Sequence, residues 1–247
     1  MIRAKHIFWA LALAASAIGV ARADDLAKCQ VPHELIEDDA KLPLVAQRFA
    51  AKEPVTIVAI GGASTAGTAA GDGALWGYPH ALEEALRKRH PGSTIRVLNV
   101  AVPRQTTEDM IARFAKDVVP ANPALVIWET GTVDAVRGAD VDGFAAAVQD
   151  GIAALRQHNF DIMLVDMQYN PSTESVIDFE PYLDALHHSA DLADAYLFPR
   201  FEVMKYWSDN SVFDFVNVPK GARVALAREV YRCLGEAMAE AVDYGAR

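Results

Sequence analysis

One serine lies in a turn whose composition is typical of sites where a backbone approaches a ligand closely. Ser64 falls in the segment Gly61-Gly-Ala-Ser-Thr-Ala-Gly67, directly after an apolar, β-branched run. Backbone N–H groups in such a turn can reach a ligand, and a serine there can attack an ester if a base and an oxyanion hole are present. The glycine spacing fits neither a dinucleotide-binding G-x-G-x-x-G nor a P-loop. Thr65 is a weaker nucleophile, and Ser64 could equally cap the following turn.

A base for this serine is difficult to find in the sequence. No histidine follows His188. His80 is the one histidine that we expect near the turn, although a solvated position at a helix start is the favoured alternative. Glu129 directly follows an apolar run and could act as a base. An ion pair between Glu129 and Arg104 or Arg200 is the favoured alternative.

Other polar side chains follow predicted strands and should converge at one edge of a parallel sheet. Asp134 is expected to support loop geometry rather than chemistry. Asp161 and Asp166 flank one strand but have no third ligand, so neither a metal nor another cofactor is expected. The residues expected to converge are Arg104, Gln105, Glu129, Thr130, Thr132, Asp134, Gln168, Tyr169 and Arg200.

The elements that must position these residues alternate between strands and helices. This alternation predicts a three-layer α/β/α domain with a five-stranded parallel sheet in the flavodoxin-like order 2-1-3-4-5. The ligand site of such a sheet lies beyond the carboxyl ends of its strands. The predicted strands are 55–60, 94–100, 124–128, 161–166 and 195–198, and the predicted helices are 78–89, 106–118, 141–158, 175–190 and 219–242.

The glycine-rich turn resembles the first sequence block of the SGNH/GDSL hydrolases, which reads Gly-Asp-Ser-x-Thr-x-Gly. Gly61, Thr65 and Gly67 match the block. Gly62 stands at the aspartate position and Ala63 at the position of the nucleophilic serine. The serine of this chain therefore comes one residue late.

Three later segments resemble the remaining blocks of the same family. The second block is Asn-x-x-Gly, with the glycine N–H in the oxyanion hole, and here Ala101 lies near the glycine position. The third is Gly-x-Asn-Asp, with Val133 at the asparagine position. The last is Asp-x-x-His, with Asn217 at the histidine position. The matching segments are Asn99–Ala101, Gly131–Asp134 and Asp214–Asn217.

The resemblance implies the fold of this family and an ester hydrolase that acts on an acyl or acetyl ester of a glycan or lipid. Ser64 and Asp214 are then the catalytic candidates, and Gly62, Ala63, Thr65 and Ala101 join the polar residues above as candidate oxyanion or ligand contacts. The alternative is a catalytically degenerate relative that binds a carbohydrate or acyl ligand in the same cleft. A third hypothesis is an accessory subunit of an envelope assembly.

The N-terminal residues are typical of a secretory signal. Arg3 and Lys5 precede an apolar run over 7–20, and Ala21-Arg-Ala23 provides small residues for cleavage after Ala23. The alternative is a membrane anchor, but the run is shorter than the ~20 residues of a spanning helix. We therefore expect a periplasmic or secreted protein without a stable membrane span.

The mature chain is expected to form an N-terminal arm over 24–52 and one hydrolase-like domain over 53–247. Its two cysteines, Cys29 and Cys233, can form a disulfide in an oxidising compartment, with two buried thiols as the alternative. The formal net charge is −10, and the sequence has no basic stripe. Nucleic acid is therefore not an expected partner.

Overall fold

The computed structural model describes residues 28–247 and contains one five-stranded parallel sheet. The strand order is β2-β1-β3-β4-β5, which confirms the predicted flavodoxin-like order. The predicted signal segment lies outside the described residues. The strands are β1 Val55–Ile60, β2 Ile95–Asn99, β3 Leu125–Glu129, β4 Asp161–Val165 and β5 Tyr196–Phe198.

Two groups of helices cover the sheet. The helices are α1 Pro43–Ala51, α2 Gly73–Trp76, α3 Tyr78–Arg89, α4 Thr107–Ile111, α5 Thr132–Arg137, α6 Val141–Arg156, α7 Pro171–Glu174, α8 Glu180–Ala193, α9 Arg200–Asp209 and α10 Arg223–Gly245. Helix α10 packs against α3, while α6 packs against α8 and β4. Every residue of β3 and β4 is buried, as expected for parallel strands with helices on both faces.

Close packing on each face depends on a glycine. A Cβ on Gly235 of α10 would lie 2.5 Å from the Cβ of Ala81 on α3. A Cβ on Gly151 of α6 would lie 2.3 Å from the Trp128 ring of β3. Any larger side chain at either position would force the layers apart, because distances this short are far inside van der Waals contact.

Several predicted boundaries were wrong. The helix predicted over 106–118 ends at Ile111 and continues as one π turn and one 3₁₀ turn, with Pro120 in the latter. The helix predicted from 175 begins at Glu180, where Pro181 suits the first turn. Helix α10 begins only at Arg223. Helix α9, which directly follows β5, was not predicted.

The N-terminal arm is attached to the domain by a disulfide and by hydrogen bonds. Cys29 and Cys233 form a disulfide with an S–S distance of 2.05 Å. At the start of α1, the N–H of Val45 donates to Oδ2 of Asp161 over 2.8 Å. Within residues 28–247, no helix is long and apolar enough to cross a membrane.

Candidate functional site

The turn after β1 is a compact loop held by its own backbone. The N–H of Ala66 donates to the carbonyl of Gly62, and the N–H of Gly67 donates to the carbonyl of Ser64. A Cβ on Gly61 would lie 2.3 Å from Oγ1 of Thr65, so only glycine fits at this corner. This close contact explains why Gly61 and Thr65, which both match the first block of the SGNH/GDSL hydrolases, occur together in the turn.

Glu129 anchors this turn from the end of β3. Its Oε2 accepts the N–H of Gly62 over 2.7 Å and the hydroxyl of Thr65 over 2.9 Å. Its Oε1 faces Nη2 of Arg200 at 3.2 Å and accepts the Thr132 hydroxyl over 3.3 Å. Because only 2% of its surface is exposed, Glu129 obtains its hydrogen bonds from these protein groups instead of from water. The favoured interpretation of Glu129, an ion pair, therefore fits, with Arg200 as the partner.

Arg200 connects Glu129 to Ser64. The side chain is 1% exposed at the start of α9, and its Nη1 donates to Oγ of Ser64 over 2.7 Å. A guanidinium has no acceptor and keeps its proton at any pH that proteins tolerate, so Arg200 cannot serve as the base. Its positive charge instead favours any negative charge that develops on or near the serine oxygen.

The turn also presents backbone donors. Within residues 28–247, the N–H groups of Ala63 and Ser64 make no hydrogen bond to protein. Gly62 differs, because Glu129 occupies its N–H. Consecutive free N–H groups at the start of a helical turn form an environment suited to an anion or a carbonyl oxygen.

A cleft of about 190 Å³ lies above this turn. Arg104 reaches it with a left-handed backbone conformation, φ 69°. Two of the lining residues, Met110 and Val133, were not candidates, because apolar side chains give no chemical signal in a sequence. The predicted residues that line the cleft are Gly62, Ala63, Ser64, Arg104, Gln105, Glu129, Thr130, Thr132 and Gln168.

Four predicted contacts serve the structure around the cleft instead of lining it. Thr65 is fully buried between Glu129 and the hydroxyl of Tyr78. Asp134 accepts hydrogen bonds from Thr107, as expected for a loop-supporting carboxylate. The other two are Ala101, whose N–H donates to Oδ1 of Asn99, and Tyr169, which packs edge-on against Phe201.

The segment matching the last family block lies apart from this network. The carboxylate of Asp214 accepts the N–H groups of Val216 and Asn217, both in its own loop. Asp214 and Asn217 are exposed and neither lines the cleft. Hydrogen bonds from these two backbone N–H groups hold the pKa of Asp214 below its usual range. In this loop the carboxylate acts as a turn-forming residue.

None of the histidines among residues 28–247 lines the cleft. His80 lies 3.9 Å from Glu84 and lines a separate surface cavity beside Trp76, so the expectation that it lies near Ser64 is wrong. His187 of α8 contacts the fully buried Asp166 at 3.0 Å, a pair that the sequence analysis missed. Although burial opposes it, the hydrogen bond to the carboxylate of Asp166 raises the pKa of His187. The two residues are 21 positions apart in the sequence and come into contact only in the folded chain.

The sequence model of the non-GDSL lipase-like family matches residues 28–247. The chain belongs to this family. The match covers all four motif segments, including those where Ala63, Val133 and Asn217 replace the residues of active SGNH/GDSL enzymes. No match was found among curated proteins.

Solved structures of similar fold include esterases. A two-domain esterase (CEX) active on acetylated mannans shares 15% identity and a TM-score of 0.68, covering 87% of this chain and 58% of its own. AlinE4, an SGNH-hydrolase family esterase, shares 26% identity and a TM-score of 0.54, covering 70% of this chain and 89% of its own. TesA shares 20% identity and a TM-score of 0.55, covering 72% and 97%. The fold is that of the SGNH hydrolases. The SGNH-type ester hydrolase that the sequence favoured is supported by the match to the non-GDSL lipase-like family and by AlinE4.

Proposed function

We propose that this protein binds an acyl ester in the cleft above the 61–67 turn and cleaves it slowly, with Ser64 as the attacking residue. The serine oxygen bonds to the carbonyl carbon and its proton passes to water, the ester C–O bond breaks and the alcohol leaves with a proton from water. A second water then releases the acid from Ser64. The position of Ser64 carries the proposal. Its hydroxyl lies in the cleft, on the turn of the first family block, beside a buried guanidinium. The ester hydrolases of similar fold support the choice of an ester.

The geometry supports stabilisation of the ester oxygen better than activation of the nucleophile. The free N–H groups of Ala63 and Ser64, together with Arg200, favour negative charge on a carbonyl oxygen bound above the turn. No histidine among residues 28–247 lines the cleft. Both oxygens of Glu129 already accept hydrogen bonds, so this carboxylate is not free to take the proton of Ser64. Because a positioned base contributes about 10²–10⁴-fold, we expect turnover to be slower by a factor of that order than in a Ser–His enzyme.

The test is hydrolysis of p-nitrophenyl acetate and butyrate by the purified protein. Ser64→Ala should abolish the rate above background, while Ser175→Ala, an exposed serine outside the cleft, should leave it unchanged. Without an imidazole at Ser64, the rate should keep rising with pH instead of levelling off near 6.5. Equal rates in the parent protein and Ser64→Ala would remove Ser64 from the mechanism.

Binding without turnover is the second candidate, and the contact between Arg200 and Ser64 favours it. The serine oxygen already accepts a charge-assisted hydrogen bond, which occupies a lone pair needed for attack. In that case the parent protein and Ser64→Ala would be equally inactive, while Arg104→Ala, which alters the cleft wall, would still weaken ligand binding.

We also propose that the protein is exported, with a cleaved signal over 1–23, an arm over 24–52 and the domain over 53–247. The Cys29–Cys233 disulfide supports an oxidising compartment. Mass spectrometry of protein from the periplasm or culture medium should give a chain beginning at Asp24. A cytoplasmic protein that retains Met1 would contradict this proposal.

A further inference from the structure

A second cavity lies beside the cleft and shares one lining residue with it. It has a volume of about 380 Å³ and lies among the segment after β4, helix α9, the loop before α10 and the first turns of α10. Gln168 lines both this groove and the Ser64 cleft. An ester bound at the turn after β1 would therefore lie next to the groove, with Gln168 at the boundary between them.

One wall of the groove consists of aliphatic side chains that water reaches. Val216 is 60% exposed, and Val218 and Leu226 are half-buried beside it. Met204 and Val230 are buried and lie behind them. Exposed apolar side chains that cluster in a concave surface indicate an apolar ligand.

The aromatic and polar residues of the groove do not suit a sugar. The rings of Tyr169 and Tyr231 are 7% and 5% exposed, so neither presents a face on which a sugar could stack. On the polar side, Oδ1 of Asn170 already accepts the N–H groups at the start of α7. Gln168, Ser172 and Arg223 also line the groove, so a hydrocarbon chain would lie along the aliphatic side chains and leave these polar groups to water.

We propose that this groove binds the hydrocarbon chain of the acyl ester whose carbonyl lies at the Ser64 turn. The inference rests on the proposed function and narrows its ligand from acyl or acetyl esters to esters with a chain of several carbons. The methyl of an acetyl group would leave the groove empty, whereas a volume of 380 Å³ lies in the range of cavities that hold whole small ligands.

A series of straight-chain primary alcohols from butanol to decanol tests the groove without requiring turnover. Each methylene buried should strengthen binding about fourfold, measured by calorimetry, until the groove is full. These probes are uncharged, so the acidic surface of the protein has no influence on the slope. An affinity that does not change with chain length would overturn the proposal.

Two exposed valines provide a matched pair of variants. Val216 lines the groove, whereas Val224, 43% exposed in the first turn of α10, does not. Val216→Asp should weaken decanol binding on the order of tenfold, because the chain would bury a charge. Val224→Asp should leave binding unchanged. Equal decanol affinities in the two variants would contradict the proposal that the groove binds the chain.

A second pair covers the case in which Val216→Asp disturbs its loop. Ala227 lines the groove and Ala225, also on α10, is exposed outside it. Ala227→Trp should fill the groove and flatten the chain-length series, while Ala225→Trp should preserve it. Unchanged binding in Ala227→Trp, with thermal unfolding showing a folded protein, would overturn the proposal.

The proposed function and the groove can fail separately. Ser64-dependent hydrolysis of p-nitrophenyl acetate with no chain-length effect would overturn the groove and leave the catalytic proposal intact. A fourfold increase in alcohol affinity per methylene, in a protein that hydrolyses no ester, would support the groove and contradict the proposed hydrolysis. Binding of acetylated xylo-oligosaccharides that Ala227→Trp abolishes, with no binding of alcohols, would identify the groove as a sugar site and also overturn it.

Discussion

Two buried carboxylates at opposite ends of neighbouring strands are stabilised in different ways. Glu129, at the carboxyl end of β3, has an arginine and three further donors. Asp161, at the amino end of β4, is 7% exposed and accepts the N–H of Val45, with no ion pair among residues 28–247. Burial raises the pKa of Asp161 to about 6, despite opposing hydrogen bonds from the α1 backbone.

The difference supports the carboxyl end of the sheet as the candidate site. At Asp161 the N-terminus of α1 provides partial positive charge, which is enough to fasten an arm but leaves the carboxylate easy to protonate. At Glu129 a full cation is buried with the carboxylate. Such a pair contributes little net stability, because both groups lose their water, yet it fixes a guanidinium beside Ser64. The second arrangement suits a site that needs charge in a defined place.

Replacing Arg200 should have the largest effect, because it makes Glu129 resemble Asp161. Arg200→Leu leaves the carboxylate buried without its cation, and we expect a loss of about 3–5 kcal/mol in the free energy of unfolding, measured in urea. The double variant Arg200→Leu, Glu129→Leu should lose less than the single variant. Lys205→Ala, which breaks an exposed ion pair with Asp209 on the same helix, should cost under about 1 kcal/mol. Similar losses in Arg200→Leu and Lys205→Ala would show that the buried pair is not required.

Thr65→Val should have the next largest effect. It removes a hydrogen bond to the charged Glu129 and leaves the buried hydroxyl of Tyr78 without its partner, for a loss of about 3 kcal/mol. Thr68→Val is the control, since its exposed hydroxyl donates only to the carbonyl of Ala63. If thermal unfolding shifted equally in both, the network under the turn would be weaker than its geometry indicates.

Asp161→Asn tests the other carboxylate through pH. Because the pKa of Asp161 is raised on folding, the folded chain binds an extra proton between about pH 4 and 6, and its stability falls as pH rises through that window. The asparagine variant lacks this titration. As the pH rises from 4 to 7, the free energy of unfolding of the asparagine variant should therefore increase by about 2 kcal/mol relative to that of the parent protein, measured in urea. Asp150→Asn, at an exposed position on α6, should show no such gain, and a parallel pH dependence in Asp161→Asn and the parent protein would contradict the prediction.

The sequence predicted the strands, their order and most of the cleft, because apolar runs and strand ends follow directly from chain position. It could offer Arg104 and Arg200 equally as partners of Glu129, since only packing decides between them. It missed the pair of Asp166 and His187 for the same reason: residues on a strand end and a helix meet only after the crossover has folded. It placed Asp214 in a catalytic role by resemblance, whereas the carboxylate closes its own exposed turn.

Ser64→Ala should have the smallest effect on stability, and it separates the two roles that the sequence left open. Arg200 would lose one acceptor, but the serine is half-buried, so water can replace its oxygen. We expect a loss under about 1 kcal/mol in urea unfolding together with loss of ester hydrolysis. A cost as large as that of Thr65→Val would mean that the hydroxyl serves mainly to hold Arg200 and the turn. The contact between Ser64 and Arg200 would then stabilise the fold instead of serving catalysis, and binding of a ligand by the N–H groups of the turn would be the remaining function of the cleft.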